Sequence, residues 1–368
     1  MTGRALCVLA FVFGAIVGSF LNACIHRLPR GIKLGNPRRS FCPSCKKQIP
    51  WYENIPLISW LVLKARCSQC GAPIPSRYFL VELLTAILFL ISWLTFPMPL
   101  VFIYWLFLAL LIAATFIDFE HLIIPDEITI GGTIAGLILS TLFPPLLGAD
   151  TFLRGFGLSF LGAAGGFFLL WFVVEAGKRF FGRKRHSFAK GEVFSIREAG
   201  GSIILTLEGD DILWDDIFAR PTDELVMEGV EGEVHFSSGE KQLMPTLLRI
   251  RHDRILFPDK EIFLSEVQEI QGSIAALVIP REAMGFGDVK FIAAIGAFLG
   301  WQAVLFTLFF SALSGTVVGA TMLAVTRGRD GGKIPFGPYL AFGALLWVFV
   351  GPPIVHWYLG MFLFPHTL

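Results

Sequence analysis

Charged residues are scarce in this 368-residue chain: 16% are Asp, Glu, Lys or Arg, where soluble domains carry about a quarter. Together with 54% hydrophobic residues, that scarcity excludes an ordinary water-soluble globule and a disordered chain alike. An excess of either sign is also missing. Thirty basic residues balance 29 acidic ones, so the chain as a whole carries no basic footprint for nucleic acid, and none is expected as a partner. No low-complexity tract, internal repeat or Gly-rich nucleotide turn stands out. What is plentiful is apolar sequence in runs of roughly 20 residues, the length one helix needs to cross a bilayer.

Those runs predict helices near Ala5–Cys24, Tyr78–Phe96, Leu100–Ile117, Glu127–Phe143, Thr151–Val174, Val289–Leu299, Trp301–Val325 and Pro338–Phe364. Within lipid every backbone group must be paired inside its own segment, which demands helices. Val289–Leu299 is short for a span and could join the next through Gly300. The first run lacks a basic n-region and a small-x-small cleavage site, so it reads as an anchor and not a signal peptide. Lys and Arg crowd alternate loops. Ten, Arg38 and Arg39 among them, lie between Cys24 and Tyr78; fourteen lie between Gly177 and Gly287; and Arg327, Arg329 and Lys333 follow the seventh run. Basic loops stay in the cytoplasm, so both termini are expected outside.

The expected architecture is an all-α polytopic membrane protein of about eight transmembrane helices, bathed in membrane lipid. Residues 1–25 form the first helix, 26–77 a cytoplasmic loop, 78–176 helices two to five, and 285–368 helices six to eight. Between them, residues 182–279 read as a soluble insert. Its 187–280 stretch holds 18 acidic and 8 basic residues, and it alternates in β fashion at Ser202–Leu207, Glu224–Val230, Glu233–Phe236, Leu247–Ile250, Arg254–Phe257 and Glu261–Leu264.

In the first loop, Cys42-x-x-Cys45 and Cys67-x-x-Cys70 supply two knuckles of paired thiols, the sulfur shell that zinc prefers. The alternative is two disulfides, which a reducing cytoplasmic face disfavours. Four sulfurs leave no open coordination position, so the metal is expected to be structural. Cys7 and Cys24 belong to ordinary helix packing.

Carboxylates at a membrane edge are costly and therefore functional candidates. Asp126 and Asp288 each open a predicted helix, where an N-cap role competes. Asp118 closes one, where the helix dipole disfavours negative charge. The third run ends on the cytoplasmic side and the sixth begins there, so Asp118 and Asp288 share one depth. Two such carboxyls divide a proton between them, the arrangement of aspartic proteases. The helix ends alone would make Asp288 the ionised member and Asp118 the protonated one. Two other readings compete. A transporter or channel would use the same acids as an ion relay, and a metal site could involve Asp118, Glu120 and His121.

These residues resemble the bacterial type IV prepilin leader peptidases, membrane aspartic proteases with a Gly-x-Gly-Asp signature. The likeness runs through Gly18-Ser19-Phe20-Leu21-Asn22, His26-Arg27-Leu28-Pro29, both Cys pairs, Glu53-Asn54-Ile55-Pro56, Arg77-Tyr78 with Glu82, Ile117-Asp118, Ile124-Pro125-Asp126, Gly285-Phe286-Gly287-Asp288 and Ile334-Pro335-Phe336-Gly337-Pro338. The resemblance implies that Asp118 and Asp288 are the catalytic pair. It further implies cleavage of the basic leaders of prepilin and pseudopilin precursors at the cytoplasmic face of the bacterial inner membrane. N-methylation of the new N-terminus with S-adenosylmethionine, work usually associated with the Cys-rich loop, is implied as well. The chain departs from the family in having Ala65 where many members have Gly, which matters if that position needs a positive φ. The insert is the other departure. It is either a tolerated addition or a regulatory element, and its acidity would attract basic leaders.

Overall fold

The structure, a computed structural model, describes residues 2–35, 40–181, 183–199, 202–207, 209–218, 224–280, 285–326 and 335–363. Arg38, Arg39, Gly182, Arg327, Arg329, Lys333, Ile334 and Phe364 lie outside the described residues. The chain divides into a helical unit, Met1–Trp171 with Gly285–Leu368, and a β unit, Phe172–Met284.

The helical unit contains α1 (Thr2–Arg27), the short α2 (Ile58–Val62), α3 (Ser76–Thr95), α4 (Leu100–His121), α5 (Asp126–Leu142), α6 (Phe152–Phe181, which runs on into the β unit), α8 (Phe286–Thr326) and α9 (Gly337–Leu363). Among the described residues six helices are long and apolar enough to cross a membrane. α5, with 17 residues, reaches only about 25 Å at 1.5 Å per residue. Outward faces carry Phe13, Leu94, Phe160 and Leu323, all exposed, as lipid-facing surfaces require.

Small residues set the helix crossings, as close approach in membranes demands. A Cβ on Gly18 would sit 2.6 Å from the Glu82 Cα, and one on Gly162 would sit 2.2 Å from the Gly296 carbonyl oxygen. α8 is not one rod. Gly300 has φ 80 and ψ 175, a conformation essentially reserved for glycine. A Cβ on Gly296 would lie 2.9 Å from Val304 Cγ2, although a continuous helix would separate those residues by about 12 Å. The chain therefore doubles back at Gly300, and α8 is two antiparallel helices, Phe286–Leu299 and Trp301–Thr326. The reversal orphans the Ala297 carbonyl, whose helical partner would have been the N–H of residue 301. Ser140 on α5 and Ser159 on α6 both donate to it, at 3.0 and 2.6 Å, and satisfy it inside the apolar bundle.

The β unit is one antiparallel ten-stranded sheet: β1 (Arg183–Ala199), β2 (Ser202–Leu207), β3 (Asp210–Leu213), β4 (Leu225–Glu228), β5 (Glu231–Phe236), β6 (Lys241–Leu243), β7 (Leu247–Ile250), β8 (Arg254–Leu256), β9 (Glu261–Phe263) and β10 (Val267–Pro280), with the single turn α7 (Trp214–Ile217) after β3. The spatial order is β3-β2-β1-β10-β4-β7-β8-β9, and β5 joins β10 to β6. Alternate residues bury Phe194, Leu205, Leu225, Met227, Leu248, Ile250 and Ile270 in one core, the period-two pattern of a half-solvated sheet. The two longest strands, β1 and β10, pair with each other from Arg183↔Pro280 to Arg197↔Glu269. Neither was legible beforehand, since β1 opens on a Lys/Arg run that reads as loop.

Candidate functional site

Four helix ends meet in one place. α4 ends near Asp118, while α5, α8 and α9 all begin there. Lys290 Nζ lies 2.6 Å from Asp126 Oδ1, which fixes the first turns of α5 and α8 at one level. Asp126 is thus the first helical residue and an ion-pair partner of α8; Pro125 holds the cap position. Ile124, between α4 and α5, wedges the rest together. A Cβ on Gly287 would be 3.4 Å from the Ile124 backbone nitrogen, and one on Gly337 2.9 Å from the Ile124 Cδ1.

Asp118 and Asp288, 5% and 7% exposed, are both buried here and lie within Coulombic range of each other. Asp288 sits in the first turn of α8, its N–H on the Gly285 carbonyl at 3.2 Å. The side-chain-free Gly285 leaves space beside it, for a Cβ there would lie 3.6 Å from Asp288 Oδ2. Asp118 is in the last turn of α4, the unfavourable position for negative charge. The structure compensates from another helix: the Gly337 N–H, at the start of α9, donates to Asp118 Oδ2 at 2.9 Å. This contact makes Oδ2 an acceptor and ties the last turn of α4 to the first of α9. Gly337 went unassigned in the sequence because its contribution is a backbone N–H, and only its place in Pro335-Phe336-Gly337-Pro338 could have flagged it.

Of the neighbouring polar groups, Arg77 and Glu120 engage each other, while His121 Nε2 is buried without a hydrogen-bond partner. Arg77 pairs with Glu120 and stacks its guanidinium 4.9 Å from the Tyr78 ring. His121 lies 4.0 Å from the same Glu120 carboxylate. The only cluster of three or more ligands among the described residues is the set of four cysteines, so Asp118, Glu120 and His121 do not form a metal site.

The four cysteine sulfurs lie within 4.8 Å of one another, and all are free thiols. Cys42 Sγ and Cys70 Sγ are 3.8 Å apart, the edge of a sulfur tetrahedron about 2.3 Å from a central zinc. The residues present therefore fit a structural zinc. The two knuckles are copies of one another, 25 residues apart. Cys42 N–H donates to Lys47 O and Lys46 N–H to Cys42 O, while Cys67 N–H donates to Ala72 O and Gly71 N–H to Cys67 O, all at 2.9 Å. Lys46 and Gly71 share a positive φ, 60 and 71, and each knuckle ends in Ile-Pro. An internal repeat thus exists where none was evident. It is a repeat of hydrogen bonds with few identical residues. The Cys45 N–H pulls the Cys42 thiol down to about 6. Against the Ala72 N–H, burial and the three other sulfurs push Cys70 up to about 11. Successive thiolates repel, and a divalent cation is what would relieve them. Ala65 has φ 56, so the position does require the left-handed region, and alanine occupies it under strain.

Two family models match the chain, one on each side of residues 97–104. Residues 12–96 match the model for the bacterial peptidase A24 N-terminal domain. Residues 105–193 and 262–320 match that of the type IV leader peptidase family. The chain is 29% identical over 386 residues to a prepilin leader peptidase/N-methyltransferase of Aeromonas hydrophila, covering 96% of this chain and 94% of that one. Its counterpart in Myxococcus xanthus is 32% identical over 334 residues, 89% and 66% of the two chains. A type 4 prepilin-like proteins leader peptide-processing enzyme of Escherichia coli is 43% identical over 153 residues, 36% of this chain and 56% of that one. No solved structure matches the chain.

Proposed function

The chain belongs to the type IV leader peptidase family, and from that premise we propose that Asp118 and Asp288 are the catalytic pair of its peptidase. The protein is a multi-pass membrane enzyme that removes the leader peptide from type IV prepilins and N-methylates the product, as its relatives are named for doing. The transporter reading has no support among those relatives.

One observation carries the catalytic assignment: two buried carboxyls, 170 residues apart in sequence, meet at a gathering of helix ends. Packed together they cannot both ionise readily and share one proton. The Gly337 N–H keeps Asp118 as the charged member, which takes a proton from the attacking water. Protonated Asp288 polarises the scissile carbonyl and then the leaving amine is protonated from the pair. Gly285 keeps a side chain off the approach to Asp288, and Gly287 lets Ile124 pack against the start of α8.

The helical unit makes eight spans when α5 and each half of α8 are counted. The dyad faces the cytoplasm of the bacterial inner membrane, where Lys and Arg concentrate, and pseudopilins are substrates alongside prepilins. Zinc held by Cys42, Cys45, Cys67 and Cys70 braces the loop structurally. S-adenosylmethionine is the methyl donor. Purified enzyme in detergent with a prepilin tests the pair. Asp118→Asn and Asp288→Asn should each lower cleavage by about 10²–10⁴-fold, and cleavage at the normal rate in either variant defeats the assignment.

A further inference from the structure

The short helix α2 is amphipathic in the opposite sense to a helix bathed in water. Ile58, Leu61 and Val62, spaced i, i+3 and i+4 on one face, are 58%, 58% and 72% exposed. Ile55, one turn earlier, extends that face, and Trp51 and Tyr52 precede it, all three exposed. The inward face carries Trp60. Its ring lies 5.2 Å from that of Phe79 on α3, and its Nε1–H donates to the Ile74 carbonyl at 3.3 Å. A surface helix in water turns its apolar stripe toward the protein. An outward stripe of this size marks a surface that something apolar covers.

The place of α2 along α3 identifies the cover. The Leu57 N–H donates to Glu82 Oε2 at 2.7 Å, which pins α2 beside Phe79 and Glu82. Those residues lie three and six positions past Ser76, the first of α3, and so about 4.5 and 9 Å inside it. The 20 residues of α3 span about 30 Å, the thickness of a hydrocarbon core. Interfacial helices lie at this depth, about 5–10 Å into the headgroup–acyl boundary. α3 itself exposes Leu80, Leu84, Ile87 and Ile91 at helical spacing, so the lipid-facing surface of a span lies next to α2. The backbone is suited to lipid, where each N–H needs a partner. Those of Ile55, Leu57, Ile58 and Ser59 go to Ser59 Oγ, Glu82, Pro56 O and Ile55 O, at 2.7–3.0 Å. Leu57 is held at φ 63 and ψ −48 in doing so, a conformation rare for any residue with a side chain. Lys64 and Arg66, both exposed, follow α2 and are placed to snorkel to lipid phosphates.

We propose that residues 51–62 are an interfacial membrane anchor. The face made by Ile55, Ile58, Leu61 and Val62 lies among the acyl chains of the leaflet that α3 enters, with Trp51 and Tyr52 at headgroup level. The proposal rests on α3 being a span. In the orientation proposed above, the leaflet is the cytoplasmic one. The anchor occupies the stretch between Cys45 and Cys67, so the bilayer grips the loop between its two knuckles.

The test reconstitutes the full-length enzyme in phosphatidylcholine vesicles that include a phosphatidylcholine with a diazirine in its acyl chain, close to the ester. After photolysis, mass spectrometry should find lipid adducts on residues 55–62 of the wild-type enzyme, alongside those on Leu84 and Ile91 of α3, a readout that depends on no variant. Leu61→Asp combined with Val62→Asp should cut the adduct yield on residues 55–62 by about tenfold, since an acid is unfavourable among acyl chains, and should leave the yield on α3 unchanged. Label on α3 with none on residues 55–62 overturns the proposal, whether that face is then found bare, cross-linked to a second copy or protected by added prepilin. A double variant labelled as fully as wild type overturns it too. An α3 that takes no label refutes the span, and the anchor with it, a result distinct from an unlabelled face beside a labelled span.

Discussion

Replacing Gly337 with alanine would place a methyl group 2.7 Å from Asp118 Oδ2, 3.2 Å from its Cγ and 2.9 Å from Ile124 Cδ1. Ordinary contact begins near 3.4 Å, so the carboxyl or the start of α9 must move by about 0.7 Å. The existing 2.9 Å hydrogen bond cannot survive such a shift with useful geometry. A hydrogen bond to a charged group contributes about 1.5–3 kcal/mol, and a misplacement approaching 1 Å can cost a catalytic group about 10²-fold. Gly337→Ala should therefore lower the turnover of leader cleavage by about 10–100-fold with little change in KM. Gly165→Ala on α6, where an added Cβ meets nothing within 4 Å, is the control and should cleave normally. The assay follows prepilin cleavage by gel under saturating and limiting substrate. Wild-type turnover in Gly337→Ala would refute the idea that the α9 N-terminus holds the dyad.

Three further outcomes are expected. Cys42→Ser, or treatment with a strong chelator, should drop zinc below one per chain and open the knuckle loop to proteases; a loop equally resistant without metal would contradict the structural role, since structural zinc contributes about 10–16 kcal/mol to such peptides. Ala65→Gly should raise thermal stability by about 0.5–1 kcal/mol. It relieves a left-handed residue strained by about 1–2 kcal/mol and gives back about half of that as chain entropy; a lower melting temperature would count against the strain. Ser140→Ala and Ser159→Ala should each be mild, because either hydroxyl alone can satisfy the Ala297 carbonyl. The double variant should lose about 1–3 kcal/mol, and additive single effects would show that the carbonyl does not depend on them.

The membrane character and the pairing of Asp118 with Asp288 were legible because apolar length and loop charge record topology directly. Parity of spans places both acids on one side before any contact is known. The four-cysteine cluster was legible because ligand spacing is local. What stayed hidden depends on backbone. Gly337 acts through its N–H, and the knuckle repeat consists of matching hydrogen bonds around Cys42 and Cys67 with different side chains. The left-handed Ala65 could be raised as a question but not answered, since φ is set by the closing bonds of Trp60 and Ile74. The donor to Asp118 was equally hidden, because the helix that supplies it, α9, begins 219 residues later in sequence. β1 was missed because its first turn of sequence, Arg183-Lys184-Arg185, is the kind of run that usually flanks a membrane helix.

The pairing of β1 with β10 has a consequence for how the chain folds. The first residue of β1, Arg183, and the last of β10, Pro280, are neighbours across a ladder. Once that ladder has zipped, the roughly hundred residues between them no longer count as a long loop, because their closure entropy has been met within the β unit itself. To the helices on either side, the connection is as short as a hairpin. A unit attached in this way can be added, lost or exchanged without altering the entropy of assembling the membrane helices. Arg183 and Pro280 are therefore the natural points at which to graft a reporter domain in its place.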